Sequence, residues 1–301
     1  MSIGAFLAVA KGRAASPDLY DMIASDTHNN NGGGLGGTYF SNGSYPGYRN
    51  TNGRTLADRT AISNPIVIMV AGQSNGCAVS ETPYTPSSSN VFNLNIYDGG
   101  VYRFTDPPLG CSQTPITSQG YSAPSGSWLG RLGQKLVDSG LSRPIVMVPA
   151  SMAGSWIGDW DPNQMPNNYQ RIRVALRRVA AVGWTPNAII WHQGEGDSGS
   201  NTPQANYTNC GNRIIAQSRT DGYAGPWFIC QVSWNGGATN NTTRAAQAAM
   251  VNNGAGVYLG ADTDTLNNTY RLDTGHFSNS GMDQVATLML AKLQAYGTPF
   301  V

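Results

Sequence analysis

From residue 65 onward the chain repeats one pattern: a short continuous apolar run, a polar cluster, then a longer amphipathic stretch. The runs are Ile66–Ala71, Pro144–Ala150, Asn187–His192, Trp227–Trp234 and Gly256–Ala261. Apolar runs of this length without alternation suit strands covered on both faces, as in a parallel sheet. Helical periodicity marks Ser127–Ser139, Asn168–Val182, Pro203–Thr220, Thr242–Asn252 and Ser278–Tyr296. Within Asn168–Val182, the residues Ile172, Leu176 and Val179 make one apolar face, and Arg171, Arg173, Arg177 and Arg178 are expected to point away from it. Strands alternating with helices predict one three-layer α/β/α domain over residues 61–301, built on a five-stranded parallel sheet with right-handed crossovers.

Residues 1–60 follow another rule. The tract His28–Gly53 is mostly glycine and asparagine with scattered tyrosines, too poor in apolar side chains for a core of its own. It is expected to serve as an irregular arm, a linker or a wall of the active cleft, and could join the chain to symmetry mates or to a larger assembly. The opening MSIGAFLAVAKGRAAS lacks a basic start and carries Lys11 and Arg13 where a cleavage site would fall, so a cleaved signal peptide is not expected.

Charge excludes some partners. Only 12% of residues are charged and the net charge is +1, leaving no basic stripe for a phosphate backbone. No run approaches the ~18 apolar residues of a membrane span. Low charge and abundant Gly, Asn, Ser and Thr suit an extracellular, cell-surface or phage-virion setting. Cys77, Cys111, Cys210 and Cys230 form no CxxC and no zinc spacing, so neither metal nor cofactor is expected. A Cys77–Cys111 or Cys210–Cys230 bridge and four buried thiols are both compatible with the spacing.

Polar residues collect at the ends of the strands: Gln73-Ser74-Asn75, Gly154-Ser155, His192-Gln193-Gly194-Glu195, and Asp262 with Asp264. In doubly wound sheets the carboxyl ends of the strands form the ligand crevice. Ser74, directly after a strand, is placed either to present a nucleophilic hydroxyl or to cap a helix. A serine nucleophile needs an imidazole base, and that imidazole needs a carboxylate to fix its tautomer. Asp273 and His276, three residues apart before the last helix, could supply both, or could cap a turn and face solvent. Gln193 could donate an N–H to an oxyanion, and Gly154 a backbone N–H. Glu195 and Asp197 could be read as a glycosidase acid pair, although a structural role suits Glu195 better. His192 is the weaker candidate base, because it still belongs to its strand. His28 is expected to be solvated.

With these blocks in view, the chain resembles the SGNH (GDSL-like) hydrolases, and within them the sialate O-acetylesterase-like carbohydrate acetylesterases. The resemblance rests on Gly72-Gln73-Ser74-Asn75, Trp191-His192-Gln193-Gly194-Glu195, Asp273-x-x-His276, and the glycine block Ala153–Trp160. It runs over about residues 65–298, with Gly196 standing where serine or alanine is more usual. It implies a flavodoxin-like domain in which Ser74 is the nucleophile, His276 the base and Asp273 its orienter. It further implies an oxyanion hole from the N–H groups of Ser74 and Gly154 with the Gln193 side chain, and a two-stage deacetylation of a carbohydrate without metal or cofactor. Asn75 and Glu195 are expected to support the site. Trp156 and Trp160 are expected either to stack on sugar rings or to pack the Gly154 loop. The insertion Glu81–Ser125 is expected to wall the cleft. The competing readings are a lipase or thioesterase on the same triad, and a non-catalytic glycan-binding or assembly protein on the same fold.

Overall fold

The computed structural model describes residues 51–111, 126–164 and 168–301. Its strands are β1 (Ile66–Gly72), β2 (Val91–Leu94), β3 (Val101–Arg103), β4 (Ile145–Pro149), β5 (Ala188–His192), β6 (Trp227–Gln231) and β7 (Val257–Asp262). The helices are α1 (Leu129–Asp138), α2 (Tyr169–Ala181), α3 (Glu195–Gly199), α4 (Gln204–Thr220), α5 (Asn241–Met250) and α6 (Asn279–Tyr296). They assemble into a three-layer α/β/α domain.

Residues of β1 show why both faces had to be apolar. Ile66, Ile68 and Val70 join Leu129, Leu132 and Leu136 of α1 with Met282, Val285 and Met289 of α6. Val67, Met69 and Ala71 turn to the opposite layer, against Ile172 of α2, Ile214 of α4 and Met250 of α5. This is the period-two alternation of a strand. Each large aliphatic side chain so buried contributes roughly 1.5–3 kcal/mol.

The sheet corrects the expectation of five parallel strands. It has seven, in the order β3-β2-β4-β1-β5-β6-β7, and β2 pairs antiparallel with β3 while the other ladders are parallel. The two extra strands come from within Glu81–Ser125. They extend the sheet beside β4, so residues 91–103 are not a cleft wall. Residues 112–125 lie outside the described residues. The hairpin escapes a search for apolar runs because it is short and Asn93 interrupts β2. That side chain is buried, donating to the carbonyls of Leu94 and Leu109 and accepting the Leu109 N–H.

Of the segment 1–60, residues 1–50 lie outside the described residues. The adjoining residues run along β3: Leu56 bridges Tyr102, the Ala57 N–H donates to Val101 O at 2.8 Å, and the Arg103 N–H donates to Thr55 O at 2.9 Å.

Arg171 is a second correction. It is 1% exposed and donates to Ala150 O at 2.7 Å, to the Tyr97 hydroxyl at 3.1 Å and to Gly110 O. Those carbonyls end β4 and the insertion loop, and buried acceptors need donors. Helical periodicity registers where Arg171 starts, not how far its guanidinium reaches.

The topology places the site. β1 is central, paired with β4 on one side and β5 on the other. The chain leaves β1 for β2 and β3 at the edge, returns through α1 to β4 beside β1, and is then carried by α2 across to β5, which puts the topological switch point at the end of β1. There the Met152 N–H donates to Gly72 O at 2.8 Å and the Gln73 N–H to His192 O at 3.0 Å. The backbones that follow three strands therefore share one rim. Gly72 (φ +142°) permits this approach, since a Cβ on it would sit 2.0 Å from His192 O.

Candidate active site

Ser74 opens a 3-10 turn, Ser74–Gly76, immediately after β1. Its Oγ lies 3.0 Å from His276 Nε2, a residue 202 positions away. His276 sits at the neck of a narrow loop closed by an Arg271–Phe277 bridge and by the Leu272 N–H donating to His276 O at 2.8 Å. Its Nδ1 is 2.8 Å from Asp273 Oδ2. Asp273 Oδ1 accepts the N–H groups of Gly275 and His276, each at 2.6 Å. Burial pushes the Asp273 carboxyl up. The His276 ring and these backbone donors outweigh that and hold it down at about 2, so it is ionised across the neutral range.

Asn75 fastens the serine turn to the histidine loop. Its Nδ2 donates to Glu195 Oε1 at 2.7 Å and to Gly275 O at 3.2 Å, and its Oδ1 accepts the Phe277 N–H at 3.2 Å. Asn75 is 1% exposed, so its amide is spent on these contacts and is not open to solvent. Arg271 backs the same loop, lying 4.3 Å over the Phe277 ring and donating to Leu266 O at 2.9 Å and to Gly275 O. Burial lowers Arg271 to about 10.

Gln73 joins the strand-end blocks, a part the sequence did not assign to it. Its Oε1 accepts the Gly194 N–H at 3.2 Å, the Gly196 N–H at 3.1 Å and Gln193 Nε2 at 3.3 Å. It thereby clamps the block after β5 to the serine turn. A long amide directly before the serine was the available signal.

The expected oxyanion donors divide. The backbone N–H groups of Ser74 and Gly154 donate to no acceptor among the described residues, and Gly154 is exposed at the rim. Gln193 is fully buried, and its amide donates to Asp197 Oδ2 at 2.5 Å and to Ser155 O at 3.3 Å. The structure thus turns the Gln193 donor inward, because the Asp197 carboxylate beside it is the stronger acceptor. Asp197 also accepts the Ile157 N–H at 2.9 Å and the Thr202 hydroxyl at 2.7 Å. Glu195 is bonded to Asn75 and Asp197 to this separate set, so the two carboxylates share no hydrogen-bond partner among the described residues.

The tryptophans separate as well. Trp160 is fully buried, its indole N–H donating to Ser155 Oγ at 2.8 Å, so it packs the Gly154 loop and cannot stack on a sugar. Trp156 is 53% exposed. His192 is buried against Thr263 Oγ1 at 3.2 Å, and burial holds it at about 4, neutral and away from Ser74. His28 lies outside the described residues. All four cysteines are buried free thiols, and the Cys111 thiol meets that of Cys77. Among the described residues no group of His, Cys, Asp and Glu could hold a metal ion, and no helix is long and apolar enough to cross a membrane.

Glu195 gives the site a pH signature. It is 6% exposed, and its Oε2 has no hydrogen-bond partner. Burial, opposed by the Asn75 amide, raises it from 4.5 to about 7. A carboxyl raised on folding contributes stability that is present below about 4.5 and lost as pH climbs through about 7. Glu195→Gln copies the protonated shape. Urea unfolding of the two proteins should coincide at pH 4.5 and diverge by about 3 kcal/mol at pH 8, with the variant the more stable. Curves that stay parallel from pH 4.5 to 8 would show that the carboxyl is not strained by burial.

Comparison with known proteins bears on the family and the fold. A family model described as "carbohydrate esterase, sialic acid-specific acetylesterase" matches residues 65–295. Among solved structures, an Arabidopsis thaliana protein is similar at 21% identity and TM-score 0.59, covering 79% of this chain and 100% of that one. NanS is similar at 18% identity and TM-score 0.51, covering 77% of this chain and 97% of its own. A carbohydrate acetylesterase from Xanthomonas citri aligns at 15% identity and TM-score 0.49, over 77% of this chain and 56% of that one. No curated protein matches the sequence. The first two of these structural likenesses speak to the fold.

Proposed function

Since this chain belongs to the carbohydrate esterase family of sialic acid-specific acetylesterases, and so is a carboxylic ester hydrolase, we propose that it removes O-acetyl groups from a carbohydrate through a Ser74–His276–Asp273 relay and an acetyl-enzyme. The observation that carries this reading is the unbroken line of contacts from Ser74 Oγ to His276 Nε2 at 3.0 Å and from Nδ1 to Asp273 at 2.8 Å.

In the first stage Ser74 Oγ attacks the acetyl carbonyl while its proton passes to His276 Nε2. Ionised Asp273 stabilises the imidazolium. The oxyanion is received by the N–H groups of Ser74 and Gly154, rim donors that meet no acceptor among the described residues, each worth several kcal/mol in the transition state. Gln193 serves this pair indirectly, by holding Asp197 and Gln73. The sugar hydroxyl leaves with the proton from Nε2. Water then attacks the acetyl-enzyme, giving its proton to the same nitrogen, and acetate departs as Ser74 is restored.

An acetyl rather than a long acyl group fits the surroundings. The exposed large apolar side chains among the described residues are Leu56, Trp156, Leu259, Tyr296 and Val301. Of these only Trp156 adjoins the rim. The others lie beside β3, on the edge strand β7, at the end of α6 and at the C-terminus, where none can sheathe an alkyl chain at the serine. p-Nitrophenyl acetate should be cleaved at least tenfold faster than the octanoate, and acetate should be released from one member of a panel of acetylated xylan, O-antigen, capsule and sialic acid. Faster octanoate cleavage would assign the site to a lipase or thioesterase.

A further inference from the structure

Two residues beyond Gly154 a cleft of about 550 Å³ opens between the Trp156–Trp160 turn and helix α4. Its size falls within the range of small-ligand sites. One wall is Trp156. The indole lies on the backbone of Gly196, where an added Cβ would meet Trp156 Cδ1 at 2.6 Å and Nε1 at 3.0 Å. The turn is fixed beneath it, since the Trp156 N–H donates to Asp159 Oδ2 and the Ile157 N–H to Asp197 Oδ2, both at 2.9 Å. Glycine at 196 therefore has a physical use: it lets an aromatic plate lie down at the mouth of the cleft.

The opposite wall is one face of α4, where Asn206, Asn209 and Arg213 follow at i, i+3 and i+7. Asn206 and Asn209 are exposed, and their amides meet no partner among the described residues. Arg213 is held by Asp161, with Nη2 to Oδ2 at 2.5 Å and Nε 3.1 Å from both oxygens. Asp161 is 1% exposed at its side chain while Arg213 is 40% exposed. The guanidinium is thus neutralised from behind and still presents N–H donors to the cleft. Asp197 also lines it, with its oxygens already engaged by Gln193, Ile157 and Thr202. What remains for a ligand is an aromatic face, two amides without a partner among the described residues, and the donors of an ion-paired guanidinium, with no unpaired cation to attract an acidic sugar. That set matches a neutral pyranose, whose C–H face stacks on aromatic carbon and whose hydroxyls both donate and accept.

We propose that this cleft is a second sugar subsite, occupied by the neutral pyranose adjoining the acetylated one, so that the preferred substrate is an O-acetylated oligosaccharide or polysaccharide and not an acetylated monosaccharide. The inference rests on the acetylesterase reading above. The glycan most rapidly deacetylated in that panel supplies the two probes, its acetylated monosaccharide and its acetylated tetrasaccharide. The wild-type protein should show a kcat/KM at least tenfold higher on the tetrasaccharide, and Asn206→Ala/Asn209→Ala should reduce that ratio to threefold or less. Equal kcat/KM on the two probes, or a preference that the double variant leaves intact, overturns the subsite. Ser74→Ala run on both probes separates the failures. Acetate release that dies with Ser74 but shows no length preference sinks only the cleft, whereas release that survives Ser74→Ala sinks the esterase reading itself.

Discussion

Ser74→Ala is expected to lower kcat for p-nitrophenyl acetate by at least about 10³-fold and as much as about 10⁶-fold, with KM changed only a few-fold. Among the described residues the hydroxyl is the group that the His276 Nε2, at 3.0 Å, is poised to deprotonate. Removing it takes away covalent catalysis while the Ser74 and Gly154 N–H donors stay on the backbone. Residual activity above the uncatalysed rate should therefore persist, carried by oxyanion stabilisation of direct water attack. Folding should be untouched, because among the described residues the Ser74 hydroxyl makes no hydrogen bond other than that to His276. A serine-directed organophosphate should add its phosphoryl mass to the peptide containing Ser74 in the wild-type protein and leave Ser74→Ala unlabelled. Near-normal turnover of the variant would move the nucleophile elsewhere, and labelling of another serine would say where.

Strands and helices were legible wherever both faces of an element are covered. Ile66–Gly72 is buried at every position, and such a strand cannot avoid an apolar run. The hairpin of β2 and β3 was not legible, because Asn93 breaks the run and earns its buried place through hydrogen bonds to Leu109 that only the folded loop supplies. The same distinction holds at the rim. Ser74 and His276 could be named from strand ends and motif resemblance, since both stand where a chain of this topology delivers reactive groups. The roles of Gln73, Gln193 and Arg171 depend on which N–H and C=O groups come to face them, and those belong to segments up to 123 residues away. Trp156 and Trp160 make the point within one turn. They sit at opposite ends of the same short 3-10 segment, one half in solvent and one fully buried, and no pattern in the sequence tells them apart.

Asp273→Asn should cost about 10⁴-fold in kcat at pH 7, and the reason lies in how the carboxylate is pinned. Oδ1 accepts two backbone N–H groups at 2.6 Å, from Gly275 and His276. In the variant that position must remain an oxygen, because an amide NH2 there would oppose two donors. The amide NH2 is then forced toward His276 Nδ1, which can only accept. The imidazole proton moves to Nε2, where it faces Ser74 Oγ and abolishes the lone pair that should take the serine proton. One atom exchanged thus leaves the loop geometry whole and inverts the tautomer of the base. In the wild-type protein Asp273 is held at about 2, so its ionisation stays complete as pH falls to 4. The contribution of this carboxylate to stability is present above its unfolded value of about 3.8 and is lost only as pH drops through about 2. Acid loss of activity above pH 4 therefore does not come from protonation of Asp273. The kcat–pH profile of both proteins, measured between pH 4 and 9 with thermal melts alongside, tests this. A variant that melts like the wild type but turns over within tenfold of it would mean that Asp273 does not set the tautomer of His276.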